Sequence, residues 1–116
     1  MSLAQLSDRV ADPVARSAVA WIDADDALVA CIAPDGTVST CRIERGGLSD
    51  LAYLTHVVRA IGDRERVIIL GPGPMRLALE REYVAIYRRP DRLVDVEPSG
   101  PLAEQDLVSR VRSLAA

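Results

Sequence analysis

The chain has no lysine, no asparagine and no phenylalanine, and it holds one histidine, one tryptophan and two cysteines in 116 residues. Without lysine every fixed positive charge is an arginine, and 14 of them face 17 acids, leaving a formal net charge of −3. Strong general binding to DNA or RNA draws on many Lys and Arg side chains that displace phosphate counterions, so this balance argues against it. Arginine-only usage beside abundant alanine, valine and leucine reads as the codon bias of a GC-rich genome. No apolar run approaches the ~18–20 residues of a membrane span, which excludes membrane embedding. The opening MSLAQLSDRVADPV carries two acids and no basic stretch ahead of an apolar core, so it does not read as a secretory signal. The expectation is a cytoplasmic chain forming one domain over residues 1–116, because domains cluster near ~100–150 residues.

What is present is a regular alternation of apolar segments and turns. Residues 1–15 read as a short helix, with Leu3, Leu6 and Val10 on one side, or as a loose tail. SAVAWID (Ser17–Asp23) and ALVACIA (Ala27–Ala33) are apolar on both faces, as expected of interior strands. VSTCRIE (Val38–Glu44) alternates, with Cys41 and Ile43 inward, and reads as an edge strand. LSDLAYLTHVVRAIG has Leu51, Leu54, Val58 and Ile61 at helical spacing and ends at Gly62 as a C-cap. RVIIL (Arg66–Leu70) is a covered central strand, and a helix from about Pro74 to Arg89 follows GPGP. LVDVE (Leu93–Glu97) alternates again, and a last helix carries Leu107, Val108, Val111 and Leu114.

Three antiparallel strands followed by helix, strand, helix, strand and helix admit one economical arrangement. Crossovers are right-handed and the two alternating strands belong at the edges, which gives a five-stranded mixed sheet of order 3-2-1-4-5 with helices on both faces. That is an α/β fold of the ribonuclease H-like, three-layer α/β/α class. A two-residue hairpin at Asp35-Gly36 sets Cys31 opposite Thr40 and Cys41 opposite Ala30, with the thiols on opposite faces; a three-residue loop shifts the register and pairs them. Two buried free thiols are the expectation.

Few side chains compose a site. Asp23, Asp25 and Asp26 cluster in the first hairpin, but two-metal phosphoryl chemistry needs acids from several elements, and Arg66–Leu70 supplies none. They read as turn formers and solvated charges. GPGPMR follows a strand and opens a helix, yet it lacks the third glycine of a dinucleotide fingerprint and the Lys-Ser/Thr of a P-loop. Pro72 and Pro74 also remove two N–H donors, so no cofactor is called for. His56 lies opposite the apolar stripe of its helix, toward solvent, with no second His or Cys nearby, so no metal set is expected. Ser49 has no base or orienter beyond that same His56, which leaves a hydrolase triad unsupported. Arg88, Arg89 and Arg92 form a local cluster, read either as a solvated helix end or as a phosphate or RNA contact.

ERGGLSDLAYLTHVVRAI (Glu44–Ile61) resembles the RGGQS segment of the middle, Gly-Gly-Gln domain of archaeal and eukaryotic peptide-chain release factors. SAVAWIDADDALVACI looks like that domain's opening hairpin, and VIILGPGPMRLALE looks like its later strand, glycine turn and helix. RLVDVEPSG with the final helix is similar to the end of small bacterial single-domain members of the superfamily, so the resemblance runs from about Ser17 to Arg112. In the release factors the glutamine helps place the water that attacks the peptidyl-tRNA ester. Here Arg45, Gly46 and Gly47 match the motif and Leu48 stands at the glutamine position, with neither donor nor acceptor to orient water. The resemblance therefore implies a noncatalytic, translation-associated domain that binds ribosomes or tRNA, as hibernation and rescue members do under stress. The rival readings are a homodimeric protein-interaction module, a residual tRNA-ester hydrolase, and a metal nuclease built on Asp23, Asp25 and Asp26.

Overall fold

Strands that are apolar on both sides bury the most surface in the middle of a sheet, and that is where these two lie. The computed structural model describes residues 17–116; the expected N-terminal helix or tail over residues 1–15 lies outside the described residues. In chain order the elements are β1 (Ser17–Ile22), β2 (Asp26–Ile32), β3 (Val38–Glu44), α1 (Asp50–Ile61), β4 (Arg66–Gly71), α2 (Met75–Tyr87), β5 (Leu93–Pro98) and α3 (Glu104–Ala115). A 3-10 turn at Pro90–Arg92 separates α2 from β5. The sheet runs β3-β2-β1-β4-β5, the order expected. β1, β2 and β3 are antiparallel, and β4 and β5 are added in parallel beside β1.

The alternation of side chains along each strand builds two apolar layers. Ala18, Ala20 and Ile22 of β1 join Val29, Val67 and Ile69 under α1 and α2. Val19 and Trp21 join Leu28, Ile68 and Leu70 under α3, which contributes Leu107 and Val111. The indole of Trp21 is satisfied by donating to the Gly100 carbonyl at 2.9 Å. None of the helices among the described residues is long and apolar enough to cross a membrane.

Packing is closest where β4 leaves the sheet. A Cβ added to Gly71 would lie 2.2 Å from the Ile22 carbonyl oxygen on β1, so only glycine lets the two strand ends approach this closely.

Four expectations are corrected. The β2–β3 loop has three residues, Pro34-Asp35-Gly36, closed by Ala33 N–H to the Thr37 carbonyl at 2.9 Å, with Gly36 at φ 89°. Asp35 draws the chain into this longer loop by accepting from the Thr37 amide at 2.9 Å, and Gly36 supplies the left-handed residue such loops need. Cys31 is thus opposite Ser39 and Cys41 opposite Val29, which puts both thiols on one face, offset along the strands rather than paired. Both are free; Cys31 is buried, whereas Cys41 is exposed because it sits on the edge strand. On α1 the buried stripe is Tyr53, Leu54, Val57, Val58 and Ile61, while Leu51 in the first turn is 61% exposed. In β5 a bulge opposite Val67–Ile68 interrupts the alternation. It turns Val94 outward and sets Leu93 and Val96, three apart, on the same layer.

Candidate functional site

Three turns meet at one end of the sheet: Asp23–Asp25 after β1, Arg45–Ser49 after β3, and Pro72–Pro74 after β4. Together they line a cavity of about 500 Å³. β1 and β4 are parallel neighbours whose chains leave in opposite directions, the position at which open α/β sheets leave a crevice beyond the strand ends.

Arg45 ties the first two turns together. Its backbone N–H donates to the Asp25 carbonyl at 2.9 Å. Its guanidinium donates from Nε to the Leu48 carbonyl at 3.0 Å and pairs through Nη2 with Asp50 at 2.5 Å. The same group lies 5.8 Å from the centre of the Tyr53 ring. Tyr53 continues the brace, its phenol donating to the Asp23 carbonyl at 3.0 Å. Burial pushes the Tyr53 pKa far up, with the Asp23 and Asp26 carboxylates adding to the shift, so the hydroxyl remains a donor at neutral pH.

Between Arg45 and Leu48 the chain makes a tight turn, closed by Leu48 N–H to the Arg45 carbonyl at 3.0 Å. Gly46 has φ 54° and Gly47 is not left-handed, the pattern of a type II′ turn. A Cβ on either glycine would meet nothing within 4 Å, so Gly46 serves conformation and not clearance. The Leu48 side chain is half-buried against the α1–α2 layer, pointing into the protein rather than off the tip of the turn.

The other sequence candidates take structural duties. Ser49 caps α1, its Oγ accepting from the Ala52 amide at 3.1 Å. His56 is exposed, seven residues and therefore about 10 Å further along the helix. Asp23 Oδ1 accepts from the amides of Asp25 and Asp26 at 2.8 and 2.9 Å, and Asp26 pairs with Arg42. Among the described residues no three His, Cys, Asp or Glu side chains come together as a metal-binding group. At the GPGP turn, Arg76 Nη1 donates to the carbonyls of Gly73 at 2.9 Å and Gly71 at 3.4 Å. The turn is an arginine-braced bend that presents carbonyls to its own side chain, the opposite polarity to a phosphate cradle.

The arginine cluster divides. Arg92 is drawn inward, donating to Asp63 at 2.7 Å and to the Arg64 carbonyl at 2.9 Å. Arg88 ends α2 in a left-handed conformation at φ 58°. Both Arg88 and Arg89 are exposed.

The fold recurs within Pelota. Pelota of Archaeoglobus fulgidus superposes with a TM-score of 0.62 and 13% identity, covering 96% of this chain and 35% of that one. Pelota of Thermoplasma acidophilum gives 0.58 and 21%, covering 96% of this chain and 36% of its own. Dom34 of S. cerevisiae, a translation termination-like factor involved in RNA quality control pathways and interacting with Hbs1, gives 0.50 and 11%, covering 81% of this chain and 32% of its own. At these identities the likeness is one of fold, and this chain spans about a third of the length of each protein. No protein-family model matches the chain. No curated protein matches it.

Two residues that hold the site together have no counterpart in the sequence reading: Tyr53 and Asp50. Tyr53 could have been found, since it lies four residues before Val57 and eight before Ile61 on the helical stripe. Asp50 has only the weaker signal of an acid in a first helical turn.

Proposed function

We propose that this chain is a noncatalytic, translation-associated domain that meets the ribosome or tRNA, acting under stress in the cytoplasm, and that residues 1–116 form the one unit that does so. The observation that carries the reading is the pairing of a Pelota-like fold over nearly the whole chain with a braced Arg45-Gly46-Gly47-Leu48 turn at the tip. In this reading the turn is the tip presented to the partner, and Arg88 and Arg89 reach phosphates from the far end of α2. Leu48 supports the noncatalytic part. Its side chain packs against the apolar layer and offers neither donor nor acceptor to position an attacking water. The homodimer has no specific observation behind it among the described residues.

Two measurements test the proposal. Tagged protein from stressed cells should cosediment with ribosomal particles, and R88E/R89E should shift it toward the top of the gradient; absence from every ribosomal fraction would remove the reading. Replacing Leu48 by Gln should give no hydrolysis of peptidyl-tRNA, because the new amide inherits a position aimed into the core. Gained hydrolysis would return the chain to the esterases.

A further inference from the structure

The cavity at the tip is lined by residues of two kinds. Pro72, Pro74 and Met75 give it apolar lining, the two prolines exposed and holding the backbone rigid and Met75 half-buried. Asp23, Asp25 and Asp50 line it against the single guanidinium of Arg45, with Asp25 and Asp50 exposed at its rim and Asp23 half-buried in its turn. That guanidinium is already held by Asp50 and by the Leu48 carbonyl. Asp50 keeps 70% of its side-chain surface exposed in that pair, and Asp25 is exposed, so the rim presents net negative charge to solvent. Leu51, beside Asp50 in the sequence, adds a large apolar side chain that is 61% exposed.

A phosphate backbone would meet three carboxylates against one guanidinium here, and like charges brought together cost affinity. A cationic polypeptide with apolar anchors meets complementary charge at the rim and apolar lining from Pro72, Pro74 and Met75. We infer that the tip cavity is a docking site for a basic, apolar-anchored polypeptide segment and not for nucleic acid. This deepens the proposed function by naming the chemistry met at the tip, and it fails separately: the chain can cosediment with ribosomes through Arg88 and Arg89 while the cavity stays empty.

The test uses the full chain labelled with 15N and three fluorescein-tagged probes: a twelve-residue peptide of alternating leucine and arginine, the same peptide with glutamate for arginine, and a twelve-nucleotide single-stranded RNA. The Leu-Arg peptide should raise anisotropy and shift the amides of Asp23–Asp25, Arg45–Asp50 and Met75, weakening with salt as rim charge pairs do. D25R reverses one exposed rim charge and should weaken that peptide about threefold or more, with the melting temperature unchanged. A second variant, D50N, removes rim charge at another turn and should weaken it in the same direction. Equal binding of the Leu-Glu peptide, RNA shifts centred on the same amides, or Leu-Arg binding that leaves those amides unmoved would each overturn the inference. So would shifts at these amides that grow with protein concentration without peptide, which would give the cavity to a second copy of the chain.

Discussion

Arg45→Ala should loosen the tip without unfolding the sheet, and its size follows from three contacts. The hydrogen bond from Nε to the Leu48 carbonyl is worth about 1 kcal/mol. Stacking over Tyr53 adds roughly 0.5–1 kcal/mol. The Asp50 pair, whose carboxylate is largely solvated, adds only a few tenths after screening. The total is about 2 kcal/mol, and at about 4 °C per kcal/mol for a chain of this size the melting temperature should fall by roughly 8 °C. Arg45→Lys keeps the charge but not the planar fork that reaches Leu48 and Asp50 at once, so it should recover only a minor part of the loss. Thermal unfolding by circular dichroism gives the magnitude. Amide exchange at Leu48, whose N–H closes the turn, gives the location and should accelerate while β1 and β4 amides hold. A melting temperature within 1 °C of the parent, or an Arg45→Lys protein indistinguishable from it in both readouts, would refute the brace.

Three further outcomes follow from the packing. Gly71→Ala forces a methyl against the Ile22 carbonyl and should cost about 2 kcal/mol by urea denaturation. Gly47→Ala, with open space around it, should stay within about 0.5 kcal/mol, and the reverse ranking would contradict the strand approach. Iodoacetamide should modify one thiol of the native protein, Cys41, and reach Cys31 only in urea. Cys31 is buried, and desolvation raises its pKa and keeps it protonated. Alkaline pH should destabilise the fold, since burial raises the pKa of Cys31 above 9.0 and those of Tyr53 and Tyr83 above 10.0. The unfolded chain releases these protons first, so the stability is complete below 9.0 and is lost as pH climbs through the folded values. The urea midpoint should therefore fall steadily above that point, and a flat profile would show these groups to be solvated.

The strand order was legible because double-sided apolar runs can be accommodated only inside the sheet, and β1, β2 and β4 show such runs. The β5 bulge was not, because Leu93, Val94 and Val96 can alternate or slip with equal local merit until β4 offers its register. The Gly-Gly turn was visible as a turn, while its geometry depended on an arginine's reach to Leu48, Asp50 and Tyr53. Arg88, Arg89 and Arg92 look equivalent along the chain, yet only Arg92 comes near Asp63, 29 residues away.

Local pattern by itself determined where strands, helices and turns fall and which strands are covered, since burial periodicity is written residue by residue. The tertiary structure alone decided which side chains meet at the tip: the β2–β3 pairing brings Arg45 and Asp50 to Asp25, and the parallel placement of β4 beside β1 adds Met75. The same packing holds Leu48 against the α1–α2 layer and sets three carboxylates against one guanidinium. Side-chain direction and the sign of a surface depend on neighbours that no short window of sequence contains.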